Sequence, residues 1–208
     1  MPLSRKVATK CAFAAAALAA GLAAVPAAQA APLSIVDVGA PAVNCVFHDA
    51  GAPNCTVIVN DSIGTFTPPG DVGNARLQSR TYPGQAPAPG AGTMAYVYRV
   101  DLTSVQGAVA ANCVTKLAFD FGAVVPLPYS PKGKADVFVV TQGGLGSVKL
   151  ASANQSGSTI TFTFAAPVCP GATSYFFGLA SKTATPKDSK ATLSYSLGGG
   201  ATTAVRVP

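Results

Sequence analysis

The stretch Thr159-Ile160-Thr161-Phe162-Thr163-Phe164 alternates threonine with large apolar residues. Successive side chains of a β-strand point to opposite faces, so Ile160, Phe162 and Phe164 share one face and the three threonines the other. A helix would scatter the same residues around its axis. The stretch therefore predicts a strand with one buried and one wet face, the pattern of an antiparallel sheet.

Two other segments repeat it. In 116–121, Leu117, Phe119 and Phe121 oppose Lys116, Ala118 and Asp120; in 192–197, Leu193, Tyr195 and Leu197 oppose Thr192, Ser194 and Ser196. Further strands are predicted at 33–38, 43–47, 55–59, 63–67, 76–81, 94–102, 137–141, 147–151, 174–179 and 202–207. No segment of helical length carries an i, i+3, i+4, i+7 apolar stripe. Turn-forming clusters separate the strands: Pro68-Pro69-Gly70-Asp71, Pro131-Lys132-Gly133-Lys134, Gly143-Gly144, Asn154-Gln155-Ser156-Gly157 and the glycines at 198–200. About ten or more short strands so punctuated predict an all-β fold, an antiparallel β-sandwich. The Pro/Gly-rich run 82–93 reads as a long surface loop inside a single domain, because residues 31–80 alone approach the size at which a core becomes marginal.

Residues 1–30 read as an export signal. Arg5, Lys6 and Lys10 precede an uncharged Ala/Leu run, and Ala28-Gln29-Ala30 supplies a small-x-small cleavage site before Ala31. The Ala-rich signal is of bacterial type, so the sequons at Asn54, Asn60 and Asn154 carry no expectation of glycosylation. The expected location is secreted, periplasmic or at the cell surface, with no membrane span after cleavage. Three of the fourteen basic residues leave with the signal and none of the eight acidic ones, so eleven cations face eight anions in residues 31–208, a net +3. Lys132/Lys134 and Lys182/Lys187/Lys190 form loose groups without interleaved aromatics, which argues against a nucleic-acid partner. All eight acids are aspartate, a residue of turns and caps more than of helix interiors.

Four cysteines remain after the signal: Cys45, Cys55, Cys113 and Cys169. Outside the cytoplasm they are expected to pair, and of three pairings we favour Cys45 with Cys55 and Cys113 with Cys169. No C-x2–4-C spacing supports a zinc site.

The search for chemistry is thin. His48 is the only imidazole, in the loop between Cys45 and Cys55 beside Asp49, and no G-x-S-x-G elbow accompanies it. A polar loop histidine is the expectation. Paired-carboxylate hydrolysis could draw on Asp37, Asp49, Asp61, Asp71, Asp101, Asp120 or Asp136, but no spacing nominates a pair. Calcium suits loop oxygens better, and its candidates are Asp61, Asp71 and Asn74. Asp120-Phe121-Gly122 lacks the companion motifs of a kinase and is read as the end of a strand. Tryptophan is absent; Tyr96 and Tyr98 share a strand face and are expected in sheet packing before a ligand platform.

No catalytic residues and no cofactor are therefore expected. The sequence predicts an exported, non-catalytic module for adhesion, surface structure or binding of an extracellular or cell-surface ligand, the alternative being an extracellular hydrolase with loop-borne aspartates. The export signal, bridged cysteines and Ala/Thr/Ser-rich, all-β composition resemble the fimbrial subunits of bacterial pili, and the resemblance implies an assembly role. Such subunits end in a strand with an aromatic near the C-terminus. Here the chain ends Ala204-Val205-Arg206-Val207-Pro208 and its last tyrosine is Tyr195.

Overall fold

A computed structural model describes residues 30–38, 43–48, 58–107, 112–129, 133–141, 146–182 and 185–208. Residues 1–29, which hold most of the expected export signal, lie outside the described residues, as do Asp49, Cys55, Lys132 and Gly143-Gly144. Among the described residues the chain is all-β: β1 (Ala31–Leu33), β2 (Ile35–Val38), β3 (Asn60–Phe66), β4 (Ala75–Pro83), β5 (Met94–Asp101), β6 (Val114–Asp120), β7 (Leu127–Pro128), β8 (Lys134–Ala135), β9 (Val137–Val140), β10 (Leu150–Ser156), β11 (Thr159–Val168), β12 (Phe176–Ser181), β13 (Lys187–Tyr195) and β14 (Gly200–Val207). A first sheet has the order β1-β10-β11-β6-β13-β14 and a second β2-β9-β12-β5-β4-β3; β7 and β8 form a small hairpin.

The inner faces of the two sheets share one core. Phe119 and Phe162 of the first sheet meet Tyr98 and Phe177 of the second, with ring centroids 4.7 Å apart for Tyr98–Phe119 and 4.8 Å for Phe162–Phe177. Tilted and edge contacts of this kind suit the ring quadrupoles and add to the area buried. The period-two reading of 159–164 holds: Ile160, Phe162 and Phe164 are buried and the threonines half-exposed. The same holds for Leu117 and Phe119, and for Leu193 and Tyr195. Leu197 departs from the pattern. β13 stops at Tyr195, and Leu197 stands 66% exposed in the turn that follows.

The second sheet is covered on both faces at β9 and β12, which alternation alone did not foresee. All of Val137-Phe138-Val139-Val140 and all of β12 are buried. The outer cover begins with the segment predicted as a strand at 43–47. It is instead a 3-10 turn, Val43–Val46, and Cys45, Val46 and Phe47 are buried in succession at 5%, 3% and 1% exposure. A strand would turn alternate residues away, whereas this plug lays consecutive ones onto the sheet. The Phe47 ring packs edge-on against Tyr82 and Phe138. A Cβ on Gly178 would meet that ring at 3.0 Å, which accounts for glycine inside β12. Part of the 82–93 run joins this cover: the Gln85 amide donates to the Phe47 carbonyl at 2.9 Å.

Four other expectations are corrected. The predicted strand 33–38 is divided at Ser34, β1 joining the first sheet and β2 the second. There the Asp136 carboxylate accepts from the Ser34 amide and hydroxyl, both at 2.8 Å, and the Asp136 amide donates to the Ser34 carbonyl at 3.0 Å. Pairing is not wholly antiparallel either, since β2 runs parallel to β9. Finally, Asn154-Gln155-Ser156 belong to β10 and only Gly157 and Ser158 turn the chain. Ile58 and Val59 of the predicted strand 55–59 are outside any strand.

Cys113 and Cys169 are bonded, as expected, across the ends of the paired strands β6 and β11. On the chain-entropy account, closing this 56-residue separation contributes about 4 kcal/mol. Cys45 is disulfide-bonded too; Cys55, its expected partner, lies outside the described residues.

Candidate functional site

At the end of the two sheets where β6 finishes and β13 begins lies a cleft of about 890 Å3. One wall is the segment 121–126 that leaves β6. It is stitched to both sheets: the Phe121 and Gly122 amides donate to the Ser158 carbonyl at 2.8 and 3.1 Å, and the Val125 amide donates to the Ala180 carbonyl of β12 at 2.9 Å. Gln155 Nε2 donates to the Gly122 carbonyl at 2.6 Å. Gly122 adopts φ +83°, a left-handed turn that glycine takes without a Cβ clash. This wall is mostly apolar, with Phe121 buried and Val124 and Val125 half-buried.

The rest of the lining is mostly polar and cationic. Lys134 of β8, Lys182 just after β12 and Lys187 of β13 contribute to it with Ser181 and Ser189. Lys187 has the parity of Ser189, Ala191 and Leu193, so it occupies the inner face of β13 one step beyond the core. Lys190 has the opposite parity and is absent from the lining. The two loose lysine groups of the sequence thus contribute to one feature. The only lining aspartate among the described residues is Asp120, whose carboxylate already accepts from the Ser158 and Thr159 hydroxyls.

The other candidate residues are dispersed. His48 is half-buried beside Phe47, with Nδ1 enclosed and unpartnered, and does not line the cleft. Asp37 pairs with Lys149 at 2.8 Å, and that hydrogen bond raises the lysine pKa. Asp61 pairs with Arg80 at 3.1 Å and Asp188 with Arg206 at 3.3 Å. Asp101 lies 3.5 Å from Arg99 and accepts from Thr103. Asp136 holds Ser34. Of the calcium candidates, Asp61 is held by Arg80, Asn74 Oδ1 accepts from Thr67 at 3.3 Å, and both Asp71 carboxylate oxygens are enclosed without a hydrogen bond. No cluster of three or more His, Cys, Asp or Glu occurs among the described residues.

Tyr96 and Tyr98 are buried in the core, and the Tyr98 hydroxyl donates to the Arg206 carbonyl at 2.7 Å. Burial pushes both phenols up, as it does Tyr82; Tyr195 is raised by burial first and then by the charge of Asp71. Among the described residues no helix is long and apolar enough to cross a membrane. No protein-family model, curated protein or solved structure matches the chain.

Proposed function

We propose that this is an exported, non-catalytic β-sandwich, bridged by Cys45–Cys55 as well as Cys113–Cys169, that binds an extracellular or cell-surface ligand in the cleft beside Lys187. The observation that carries the reading is the pairing of that cleft with the use made of the aspartates. Asp37, Asp61, Asp101, Asp120, Asp136 and Asp188 are each engaged in an ion pair or hydrogen bond that pins strands or strand ends. A carboxylate so held serves structure, whereas acid–base work asks for a group facing substrate with a matched pKa. The cleft has the dimensions of a small-molecule site, lined by an apolar segment and a few polar groups.

Mass spectrometry of the protein recovered outside the cytoplasm tests the export half: the mass should begin at Ala31, and a maleimide added after denaturation without reductant should label nothing. Two reactive thiols would defeat the second bridge. Turnover of chromogenic ester, glycoside or peptide substrates that vanishes in Asp120→Asn would defeat the non-catalytic half.

A further inference from the structure

We propose that the cleft takes a small amphiphilic anion, a carboxylate or phosphate head on an apolar chain, with the head among Lys134, Lys182 and Lys187 and the chain along Phe121, Val124 and Val125. The inference rests on the cleft being the binding site and adds the chemistry of what binds. Among the described residues four cations are ion-paired, namely Arg80, Arg99, Lys149 and Arg206. None of the three cleft lysines has an ion pair among the described residues, and the lining sets three ammonium groups against the single carboxylate of Asp120. The placement of Lys187 sharpens the point. Lys187 shares the parity of the core residues Ala191 and Leu193, where an apolar side chain would extend the core, and is instead an exposed lysine in the cleft lining.

Lysine is a point charge with three rotatable donors, suited to a compact anionic head without the planar fork that arginine offers. The segment 121–126 offers a different chemistry. Val124 and Val125 are held half-buried by the backbone bond to Ala180, and a bound alkyl chain would remove their exposed surface from water. One cavity lined both by lysines and by an apolar segment is complementary to a ligand with the same two parts.

Calorimetric titration of the mature protein with octanoate, octyl phosphate, octan-1-ol and inorganic phosphate tests this. Octanoate and octyl phosphate should bind one to one and at least about tenfold more tightly than either octan-1-ol or inorganic phosphate; which of the two is preferred identifies the head as carboxylate or phosphate. Binding should weaken as sodium chloride is raised to about 0.5 M. Lys187→Glu should weaken both amphiphiles about tenfold with an unchanged melting temperature, and Lys187→Gln by less. Lys190→Glu, on the outer face of the same strand, should leave them unchanged. Octan-1-ol matching octanoate, inorganic phosphate matching octyl phosphate, equal losses from the 187 and 190 variants, or no binding of any probe would each overturn the proposal. A protein that is exported and thiol-free yet binds none of the probes loses only the ligand class. A protein that binds octanoate but remains in the cytoplasm loses only the exported role.

Discussion

The two sheets solve the burial problem differently. The first keeps its outer face wet, so residues 159–164 of β11 and 191–195 of β13 alternate apolar and polar side chains. The second is roofed by Phe47, by part of the 82–93 run and by the β7–β8 hairpin, so β9 and β12 are apolar on both faces. A strand with two covered faces loses its alternation, and its sequence then reports only that it is a strand, not what covers it. The arginines mark where the roof ends. Arg80 and Arg99 lay their guanidinium groups over the Phe176 ring at 4.9 and 4.6 Å, closing the apolar half of the outer face with charge.

The sharpest way to break this comparison is to remove what each half depends on. Replacing Cys113 and Cys169 together by serine should cost up to about 4 kcal/mol in urea denaturation, because the bridge joins two neighbouring strands of the first sheet. Phe47→Ala should cost about 3 kcal/mol, a core-sized loss from a residue outside the space between the sheets. Thr161→Ala, on the wet face of the first sheet, should change stability by less than about 0.5 kcal/mol. If Phe47→Ala resembled Thr161→Ala, the outer cover of the second sheet would be ornamental and the contrast would fail.

Asp71→Asn should raise stability by about 1 kcal/mol, since it removes a charge whose two oxygens are enclosed without a partner. The same melts with millimolar calcium address the calcium candidates. A rise in melting temperature in the parent protein that Asp71→Asn abolishes would place an ion there, and no rise would retire them.

Alkaline titration gives a smaller, graded effect. Tyr82, Tyr96, Tyr98 and Tyr195 have folded pKa values raised above the ordinary value of 10.0. Above that pH the unfolded chain has released phenolic protons that the folded chain still holds, so stability falls as pH rises from about 10. Phenolate absorbance from these four should appear together with the loss of near-ultraviolet circular dichroism. Their ionisation in a chain that keeps its native signal would break the argument.

What the sequence made legible follows the same division. Residues 159–164 and 116–119 were readable because one side of each strand meets water. The plug at 43–47 imitated a strand, since its apolar content is that of one and only the presence of a second buried face reveals its use. β10 was largely hidden because Asn154, Gln155 and Ser156 are turn-forming residues by type, yet they sit at ladder positions beside β11. The cleft was invisible for a different reason. Lys134 and Lys187 are far apart in the chain, and only the topology brings β8 and the start of β13 to one end of the molecule.

The division at Ser34 has a kinetic consequence. β1 pairs with β10 and β2 with β9, both more than ninety residues away in the chain. Both pairings close long loops before any contact rewards them, and parallel, distant pairings are slow to form. Ile35, Val36 and Val38 then wait as an unsheltered apolar ribbon while the rest assembles, and the lacing of both sheets along that margin comes late in maturation.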